Sequence, residues 1–312
     1  MPYPIEKKLV VGVSSNALFD LQVEDEIYKE QGLKAYKEYQ TDNRTVILGK
    51  GLAYPFIRRF LSINKLFPNK QPVEVVVLSK NSPETGLRVF NSICEYKLDI
   101  SRAAFTSGKS PYEYIPAFNI SLFLSTDEND VKNAINKNYP AGRILKTSIR
   151  DNEEDTELRL AFDFDGVLAD DSAEQYYQEC KDLDKYFEHE TAYSSKPLEA
   201  GLLLGFLQKV SFFQKLEDKA LEQDPEYKKV LRTAIITARN APAHERAVNT
   251  LKYWDVNVDE MFFLGGIEKR RILEILKPHL FIDDQIFHLD ESLSDIPLVH
   301  IPFGVINREK VE

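Results

Sequence analysis

The sequence predicts an α/β protein made of two tandem units, each with a parallel sheet. Short apolar runs followed by helical patterns recur along the 312 residues, as parallel strands and crossover helices require. The runs form two sets that align with each other, at offsets of 149 and then 158 residues. A polar stretch, Lys146 to Glu157, separates the sets, so the predicted domains are residues 1–150 and 151–312.

Three pairs of segments carry the internal alignment. They are Gly12–Phe19 with Ala161–Leu168, Val75–Ser79 with Thr233–Thr237, and Leu122–Thr126 with Leu280–Asp284. Arg88 and Asn91 also fall on Arg246 and Asn249 at the second offset. Any two α/β units look partly alike, but the shared order favours duplication of one ancestral unit. The change of offset predicts that the second copy carries a longer insertion after its first motif.

Polar side chains end the apolar strands of the second unit. Asp163 and Asp165 follow the run from Leu158 to Phe162. Thr237 ends a second run, Lys269 follows a third, and Asp283 and Asp284 end a fourth. Because open parallel sheets bind ligands at the carboxyl ends of their strands, we expect these side chains to meet there. Each motif alone is weak, since such residues also cap helices or lie in solvent, but all four in order indicate catalysis.

The residue types suit phosphoryl transfer through a covalent intermediate. A carboxylate can attack phosphorus and form an aspartyl-phosphate, and Asp163 is the candidate nucleophile. Asp165 is the candidate acid that protonates the leaving oxygen and then activates water. Thr237, Ala238 and Lys269 are the candidate phosphate-binding residues.

Carboxylates crowded at one sheet edge also predict a metal site. Mg²⁺ is a hard ion that prefers oxygen ligands, and it would let the acids approach a phosphate. The candidate ligands are Asp163, Asp165 through its backbone carbonyl, and one or both of Asp283 and Asp284.

The first unit lacks this chemistry. At the aligned positions it has Ser14 and Asn16 for the first two acids, Pro111 near the lysine, and Ser125-Thr126 for the last two acids. None of these can form an aspartyl-phosphate or hold Mg²⁺ well. We therefore predict a catalytically inactive unit that serves as a packing scaffold, with binding of a regulatory nucleotide as the alternative.

The insertion in the second unit is predicted to form a helical cap over the strand ends, at about residues 171–231. Helical patterns cover Ser172–Glu179, the region of Leu203 to Phe213, and Asp224–Leu231. Such a cap would exclude water and contact the part of the substrate that is not phosphate. Candidate substrate-binding residues are Phe187, His189 and Tyr193 in the cap, with Arg239 after the second strand. The alternative is that the aromatic residues pack the interior of the cap.

Composition excludes several classes of protein. The net charge of −10 argues against a partner that is a nucleic acid, which requires a basic surface. No stretch approaches the roughly 20 apolar residues of a membrane span, so no membrane partner is expected. Met1 to Lys8 is polar and does not resemble a signal peptide, and only two cysteines are present, Cys94 and Cys180. Together these features predict a cytoplasmic protein with free thiols.

The four motifs resemble those of the haloacid dehalogenase superfamily of phosphatases, whose units are Rossmann-like. The chain also resembles a narrower group, the type I cytosolic 5′-nucleotidases, over nearly its whole length. The segments that carry this second resemblance are VSSNALFDL, IYKEQGL, NSPETGLRVFNSI, FEHE, KPLEAGLLLGFL, ITARNAP, FLGGIEK and PHLFIDDQIFH. Phe164 stands where the animal enzymes are expected to have the smaller Gly, and Gly166-Val167 where they are expected to have Ala-Val, which leaves the base preference open.

The resemblance implies a magnesium-dependent hydrolase of nucleoside 5′-monophosphates. It also implies a nucleotide effector and a homo-oligomer for some members. Two alternatives stay open: a phosphatase for another small phosphomonoester such as a sugar phosphate, and a non-catalytic nucleotide sensor. The joint presence of Asp163 and Asp165 favours an enzyme over a sensor.

Overall fold

The computed structural model describes residues 4–147, 150–290, 292–293 and 295–307. The chain divides into unit 1, Met1–Ile144, and unit 2, Leu145–Glu312. This division lies immediately before the predicted linker of residues 146–157, and residues 148 and 149 of that linker lie outside the described residues. Residues 1–3, the start of the segment without signal-peptide character, lie outside them as well.

Unit 1 is a five-stranded parallel sheet with helical connections. Its elements are β1 (Leu9–Val13), α1 (Ser15–Leu18), β2 (Phe19–Asp20), α2 (Gln22–Asp42), β3 (Gly49–Lys50), α3 (Tyr54–Leu66), β4 (Val73–Ser79), α4 (Gly86–Glu95), β5 (Arg102–Phe105), β6 (Ile120–Ser125), α5 (Glu128–Ile135) and β7 (Ala141–Ile144). Across the sheet the strands run β7-β6-β1-β4-β5, and each neighbouring pair is parallel. The short strands β2 and β3 form a separate antiparallel pair.

Unit 2 has a second five-stranded parallel sheet. Its elements are β8 (Leu158–Phe162), α6 (Ser172–Cys180), α7 (Leu183–Ala192), α8 (Leu204–Gln223), β9 (Leu231–Thr237), α9 (His244–Tyr253), β10 (Glu260–Phe263), α10 (Arg270–Leu276), β11 (Leu280–Asp283) and β12 (Leu298–His300). The strands run β12-β11-β8-β9-β10, again with parallel neighbours. The predicted α/β class with two parallel-sheet units is confirmed.

The burial of the strands explains why apolar runs in the sequence predict their positions. All five residues of β1 are buried, as are four of the five in β8, so both faces of each central strand must be apolar. In unit 2 one face of the sheet buries Ala161, Ile236 and Phe281 together with Leu273 and Leu276 of α10. No helix among the described residues is long and apolar enough to cross a membrane.

The two units have the same strand order, with β1 and β8 at the centre. The equivalence extends to individual hydrogen bonds. Arg88 Nε donates to the Val46 carbonyl, and Arg246 Nε donates to the Lys196 carbonyl. Leu48 N donates to Ser92 Oγ, and Leu198 N donates to Thr250 Oγ1. These paired contacts strengthen the inference of duplication.

The equivalence also corrects the predicted position of the insertion. α2 of unit 1 is interrupted at Gly32, which has non-helical backbone angles, and its two halves correspond to α6 and α7 at an offset of 150 residues. Because both units have these helices, they are not the insertion. The offset is still 150 where α3 and α8 begin, at Tyr54 and Leu204, and is 158 where β4 and β9 begin. Most of the extra residues therefore extend α8 and the loop after it.

The predicted cap of residues 171–231 is consequently too long. α8 packs against the sheet: the Phe206 ring lies 6.2 Å from that of Phe162, and Gln214 Nε2 donates to Thr233 Oγ1 at 2.9 Å. The prediction of a helix over Asp224–Leu231 is also wrong, since Pro225 follows Asp224 and a turn replaces the helix there. Only α6 and α7 remain as candidate cap helices.

Gly201 lies in the loop before α8 and packs closely against the segment that follows β8. A Cβ at Gly201 would lie 2.5 Å from the Ala169 carbonyl oxygen and 2.7 Å from that of Val167. Backbone atoms cannot move aside easily, so Gly201→Ala should lower the free energy of unfolding by about 1–3 kcal/mol. The measurement is urea denaturation followed by circular dichroism.

Gly205→Ala is the matched control for this prediction. Gly205 lies exposed in α8 and a Cβ there meets no atom within 4 Å. Alanine favours the helix, so this variant should gain about 0.5–1 kcal/mol. Equal effects of the two substitutions would contradict the close approach at Gly201.

Candidate active site

Asp163 lies immediately beyond β8 and is almost completely buried, at 5% exposure. Its backbone N–H donates to the Ile282 carbonyl at 2.8 Å, so the chain beyond β8 stays registered with β11. Its Oδ1 accepts a hydrogen bond from Phe164 N at 2.7 Å. The second carboxylate oxygen, Oδ2, is directed at Lys269.

Lys269 connects two of the strand-end acids. Its Nζ lies 2.9 Å from Asp163 Oδ2 and 2.6 Å from Asp283 Oδ2. Lys269 is the N-cap residue of α10 and is 4% exposed, so its charge is removed from water. Burial alone would lower the pKa of Lys269, but the two carboxylates raise it above its usual range. The lysine is thus held as a cation between two acids that are 120 residues apart in sequence.

The single cation of Lys269 does not neutralise all the acids of this cluster. Burial, opposed by Lys269, raises the pKa of Asp163 to about 7. Burial together with the charges of Asp163 and Asp283 raises the pKa of Asp284 to about 9. Asp283 differs: burial would raise its pKa, but Lys269 and His288 hold it at about 2. The protein alone therefore favours a proton on this cluster, and a bound cation could take that proton's place.

The donor set fits a divalent cation. Asp284 Oδ1 is buried and has no hydrogen-bond partner in the part of the chain that the structure describes. Oxygen or nitrogen atoms of Asp163, Asp283 and His288 all lie within 4.8 Å of one another. Gly166 has a positive φ of 75°, and a Cβ there would lie 2.5 Å from Asp284 Oδ2. Only glycine at position 166 leaves room for the Asp284 carboxylate, so the backbone here accommodates that side chain closely.

Asp165 does not direct its carboxylate into that cluster. Its two oxygens accept a bidentate pair from Arg239, Nε to Oδ2 and Nη2 to Oδ1, both at 2.7 Å. The metal ligand predicted from Asp165 is its backbone carbonyl, and this ion pair does not involve that atom.

Arg239 is itself held by residues that the sequence analysis did not single out. Its Nη1 donates to Glu190 Oε2 of α7 and to the Ala243 carbonyl. Glu190 also accepts from Arg246 Nη1 at 2.7 Å and is 0% exposed. Burial would raise the pKa of Glu190, but Arg239 and Arg246 lower it below its usual range. The FEHE segment contained this residue, but nothing in sequence pointed to its two distant partners.

Thr237 and Ala238 lie at the carboxyl end of β9. Thr237 is the last residue of β9, and its Oγ1 accepts a hydrogen bond from Arg239 N at 3.2 Å. A cavity of about 300 Å³ opens at these strand ends. It is lined by Asp163, Asp165, Glu174, Tyr177, Leu183, Tyr186, Phe187, Thr237, Ala238, Arg239, Asn240, Gly265, Gly266, Gln285 and His288. One side is therefore polar and made by the sheet, and the other is partly aromatic and made by α6 and α7.

The predicted substrate-binding residues separate into two groups. Phe187 and Arg239 line this cavity. His189 and Tyr193 line a second cavity of about 450 Å³, where the His189 ring stacks on Tyr176 at 4.0 Å. Side chains three or four residues apart on a helix share a face, but Phe187 and His189 are two apart and point differently. Tyr177 and Tyr186 line the first cavity as well, and Tyr177 is the aromatic residue that the sequence did not indicate.

Comparison with known proteins identifies the family of the chain. A model of the 5′-nucleotidase family matches residues 1–308. A human protein, cytosolic 5′-nucleotidase 1B, is 35% identical over 297 residues, which are 93% of this chain and 48% of that protein. The chain thus spans about half the length of this curated relative. No solved structure matches.

The chain belongs to the 5′-nucleotidase family. The resemblance to the type I cytosolic members is thereby confirmed. The family name denotes a phosphoric monoester hydrolase, and the prediction of that enzyme class is confirmed at the level of the family. Family membership also implies a metal-dependent phosphatase, in agreement with the oxygen-rich donor set around Asp284.

Asp284→Asn should stabilise the protein when no divalent cation is present. A carboxyl group whose folded pKa is raised to about 9 contributes stability below its unfolded pKa, and this contribution is lost as pH rises through the folded pKa. At pH 8 and in a chelator the substitution should raise the free energy of unfolding by about 1–3 kcal/mol. The gain should shrink toward pH 4. Added divalent cation should stabilise wild type more than the variant.

Asp127→Asn in unit 1 is the control with the opposite sign. Burial would raise the pKa of Asp127, but the hydrogen bond from Lys80 lowers it. Its loss should destabilise the protein at pH 8 and should leave the response to the cation unchanged. A stabilising Asp127→Asn, or a destabilising Asp284→Asn in chelator, would contradict the electrostatic assignment.

Proposed function

We propose that the chain is a magnesium-dependent 5′-nucleotidase that hydrolyses nucleoside 5′-monophosphates through an aspartyl-phosphate on Asp163. The observation that carries the proposal is that Asp163 and Thr237 line one cavity while Asp163 also pairs with the buried Lys269. A nucleophile, a fixed cation and a strand-end hydroxyl are what phosphoryl transfer requires.

In the first step Asp163 attacks phosphorus and the bond to the 5′ oxygen of the nucleoside breaks. Asp165 donates a proton to that oxygen, so a neutral hydroxyl leaves. In the second step Asp165 accepts a proton from water, the water oxygen attacks phosphorus, and the bond to Asp163 breaks. Lys269, which touches Asp163, and Thr237 hold the phosphoryl oxygens while charge redistributes.

Mg²⁺ would be held by Asp163, Asp283 and Asp284, with the backbone carbonyl of Asp165. When bound it would neutralise charge on the phosphoryl oxygens and let the acids approach the substrate. The carboxylate oxygens suit Mg²⁺ better than the nitrogen of His288 does. His288 instead lies 3.3 Å from Asp283 Oδ1, where it can fix the orientation of that carboxylate.

The aromatic wall of the cavity favours a nucleoside over a sugar as the leaving group. Tyr177, Tyr186 and Phe187 lie on this wall, opposite the strand ends that would hold the phosphate. Aromatic side chains can stack on a flat base. A cavity of about 300 Å³ lies within the range of small-molecule sites. A phosphatase for another small ester is the second candidate, favoured only by the open, polar sheet side.

The human relative is named cytosolic 5′-nucleotidase 1B, and this name gives that protein the same activity and a cytosolic location. We extend both to this chain. Unit 1 would not take part in the chemistry, because Ser14, Asn16 and Ser125 stand at the aligned acid positions. The alternative of a pure sensor requires neither Asp163 nor its ion pair with Lys269.

Asp163→Asn should abolish turnover, because an amide cannot form the phosphoenzyme. Phosphate release from a panel of nucleoside 5′-monophosphates and sugar phosphates, each with and without Mg²⁺, is the measurement. Ser14→Ala, at the equivalent position of unit 1, is the matched control and should keep wild-type turnover. Substantial phosphate release by folded Asp163→Asn would exclude Asp163 as the nucleophile, and inactivity of wild type on the whole panel would exclude the proposed function.

Asp165→Asn should retain binding but slow both chemical steps. General acid–base catalysis contributes about 10²–10⁴-fold, and a loss of roughly that size in kcat is expected. Rapid-quench detection of phosphoenzyme separates its formation from its hydrolysis. A kcat within about twofold of wild type would remove Asp165 from the mechanism.

A further inference from the structure

Glu190 is a completely buried carboxylate that touches no atom of the proposed reaction. It comes from α7, and it lies between two guanidinium groups, those of Arg239 and Arg246. Both arginines are less than 10% exposed. A carboxylate removed from water is costly unless it is paired, and one that pairs two cations at once joins the elements that carry them. Glu190 thus joins α7 to the loop after β9 and to α9.

Arg239 divides its donors between two acids. Two N–H groups are used by Asp165, while Nη1 serves both Glu190 and the Ala243 carbonyl. Since Arg239 touches Asp165 directly, any shift of its guanidinium moves the candidate acid. Among the described residues Glu190 is the other charged partner of this guanidinium, so it determines how firmly Arg239 holds Asp165.

Unit 1 provides an internal comparison. At the positions of Asp165, Arg239 and Glu190 it has Asn16, Asn81 and Gln40. All three charged groups are thus replaced by neutral amides in the unit that lacks the catalytic acids. The joint replacement indicates that the three charges serve one purpose, which unit 1 does not have.

Arg246 behaves differently, because its counterpart Arg88 is kept. Arg88 Nη1 donates to Gln40 Oε1 at 3.2 Å and also pairs with Glu24. In unit 2 the counterpart of Glu24 is Glu174, which lines the cavity. Gln40, at the position of Glu190, is therefore compatible with the helix packing when the arginine has another acid partner. The charge on Glu190 is needed where Arg239 and Asp165 are present.

We propose that Glu190 is a positioning residue that fixes the Arg239 guanidinium and, through it, the orientation of the Asp165 carboxylate. This inference rests on the proposed function. Arg239 holds both carboxylate oxygens of Asp165 at 2.7 Å, so the direction in which Asp165 faces the leaving oxygen depends on where the guanidinium lies. Glu190 and the Ala243 carbonyl hold Nη1 of the same guanidinium. Without the Glu190 charge, the candidate acid is less well oriented for the first step.

The test compares substrates whose leaving groups differ in their need for a proton. A nucleoside leaves as an alkoxide unless it is protonated, whereas p-nitrophenolate leaves readily without a proton. Glu190→Gln should therefore reduce the rate of phosphoenzyme formation from a nucleoside monophosphate by about 10–100-fold, with a smaller change in KM, as expected for one charge-assisted hydrogen bond. The rate of phosphoenzyme formation from p-nitrophenyl phosphate, a step that needs no proton donor, should fall by no more than about threefold.

Glu217→Gln is the matched control. Glu217 is also buried in unit 2, at 1% exposure, and its oxygens accept from Tyr227, Val230 and Leu231, away from the cavity. It should alter stability without changing the ratio of the two activities. Glu190→Asp keeps the charge and should recover part of the lost rate. If Glu190→Gln does not fold, Glu190→Asp is measured in its place.

A double-mutant cycle supplies the second measurement. If Glu190 acts through Asp165, then Glu190→Gln should change kcat by less than about threefold in the Asp165→Asn background. An equal loss on both substrates, or an additive effect in the cycle, would overturn the positioning role while leaving the proposed function intact. Wild type that hydrolyses neither substrate would overturn the proposed function, and the inference with it.

Discussion

The active site depends on one interaction, the contact of Lys269 with both Asp163 and Asp283. Parallel strands deliver their carboxyl ends to one edge, so a sheet with acids at those ends forces like charges together. One buried lysine can balance only part of that charge, and Asp284 keeps an oxygen without a hydrogen-bond partner among the described residues. In the proposed site this imbalance would create affinity for a cation and, with it, for a phosphate. A site neutralised by a second lysine would be more stable and would bind neither.

The strands and the acids that follow them could be predicted from sequence because both are local. The bounds of β8, Leu158–Phe162, follow from an apolar run, and Asp163 is simply the next residue. The partners of these acids are not local. Asp165 and Arg239 are 74 residues apart, and Glu190 reaches Arg239 from a separate helix. No periodicity encodes which charged side chain of one element meets which of another.

The predicted cap is too long for a related reason: helical periodicity does not show which element a helix packs against. The spacing of Phe206, Val210 and Phe213 correctly indicates a helix, because apolar side chains on one face need to be buried. It does not indicate what buries them. Either a cap interior or the sheet would satisfy the pattern, and the contact of Phe206 with Phe162 assigns α8 to the sheet. Alignment of the two halves would have found this, since α2 already contains the counterparts of α6 and α7.

Comparing the halves separates what the fold needs from what the chemistry needs. The hydrogen bonds of Arg88 and Arg246 to backbone carbonyls are the same, so this arginine serves the connection between the helix and the loop. Asp165, Arg239 and Glu190 become amides together, although an isolated buried charge would be as unfavourable in one half as in the other. Losing Arg239 alone would leave Asp165 without the cation that pairs with both of its oxygens, and losing Glu190 alone would leave Arg246 without its acid. The three are therefore constrained to be kept or lost as a set, and a change in α7 that disturbs Glu190 must reach Asp165 through Arg239.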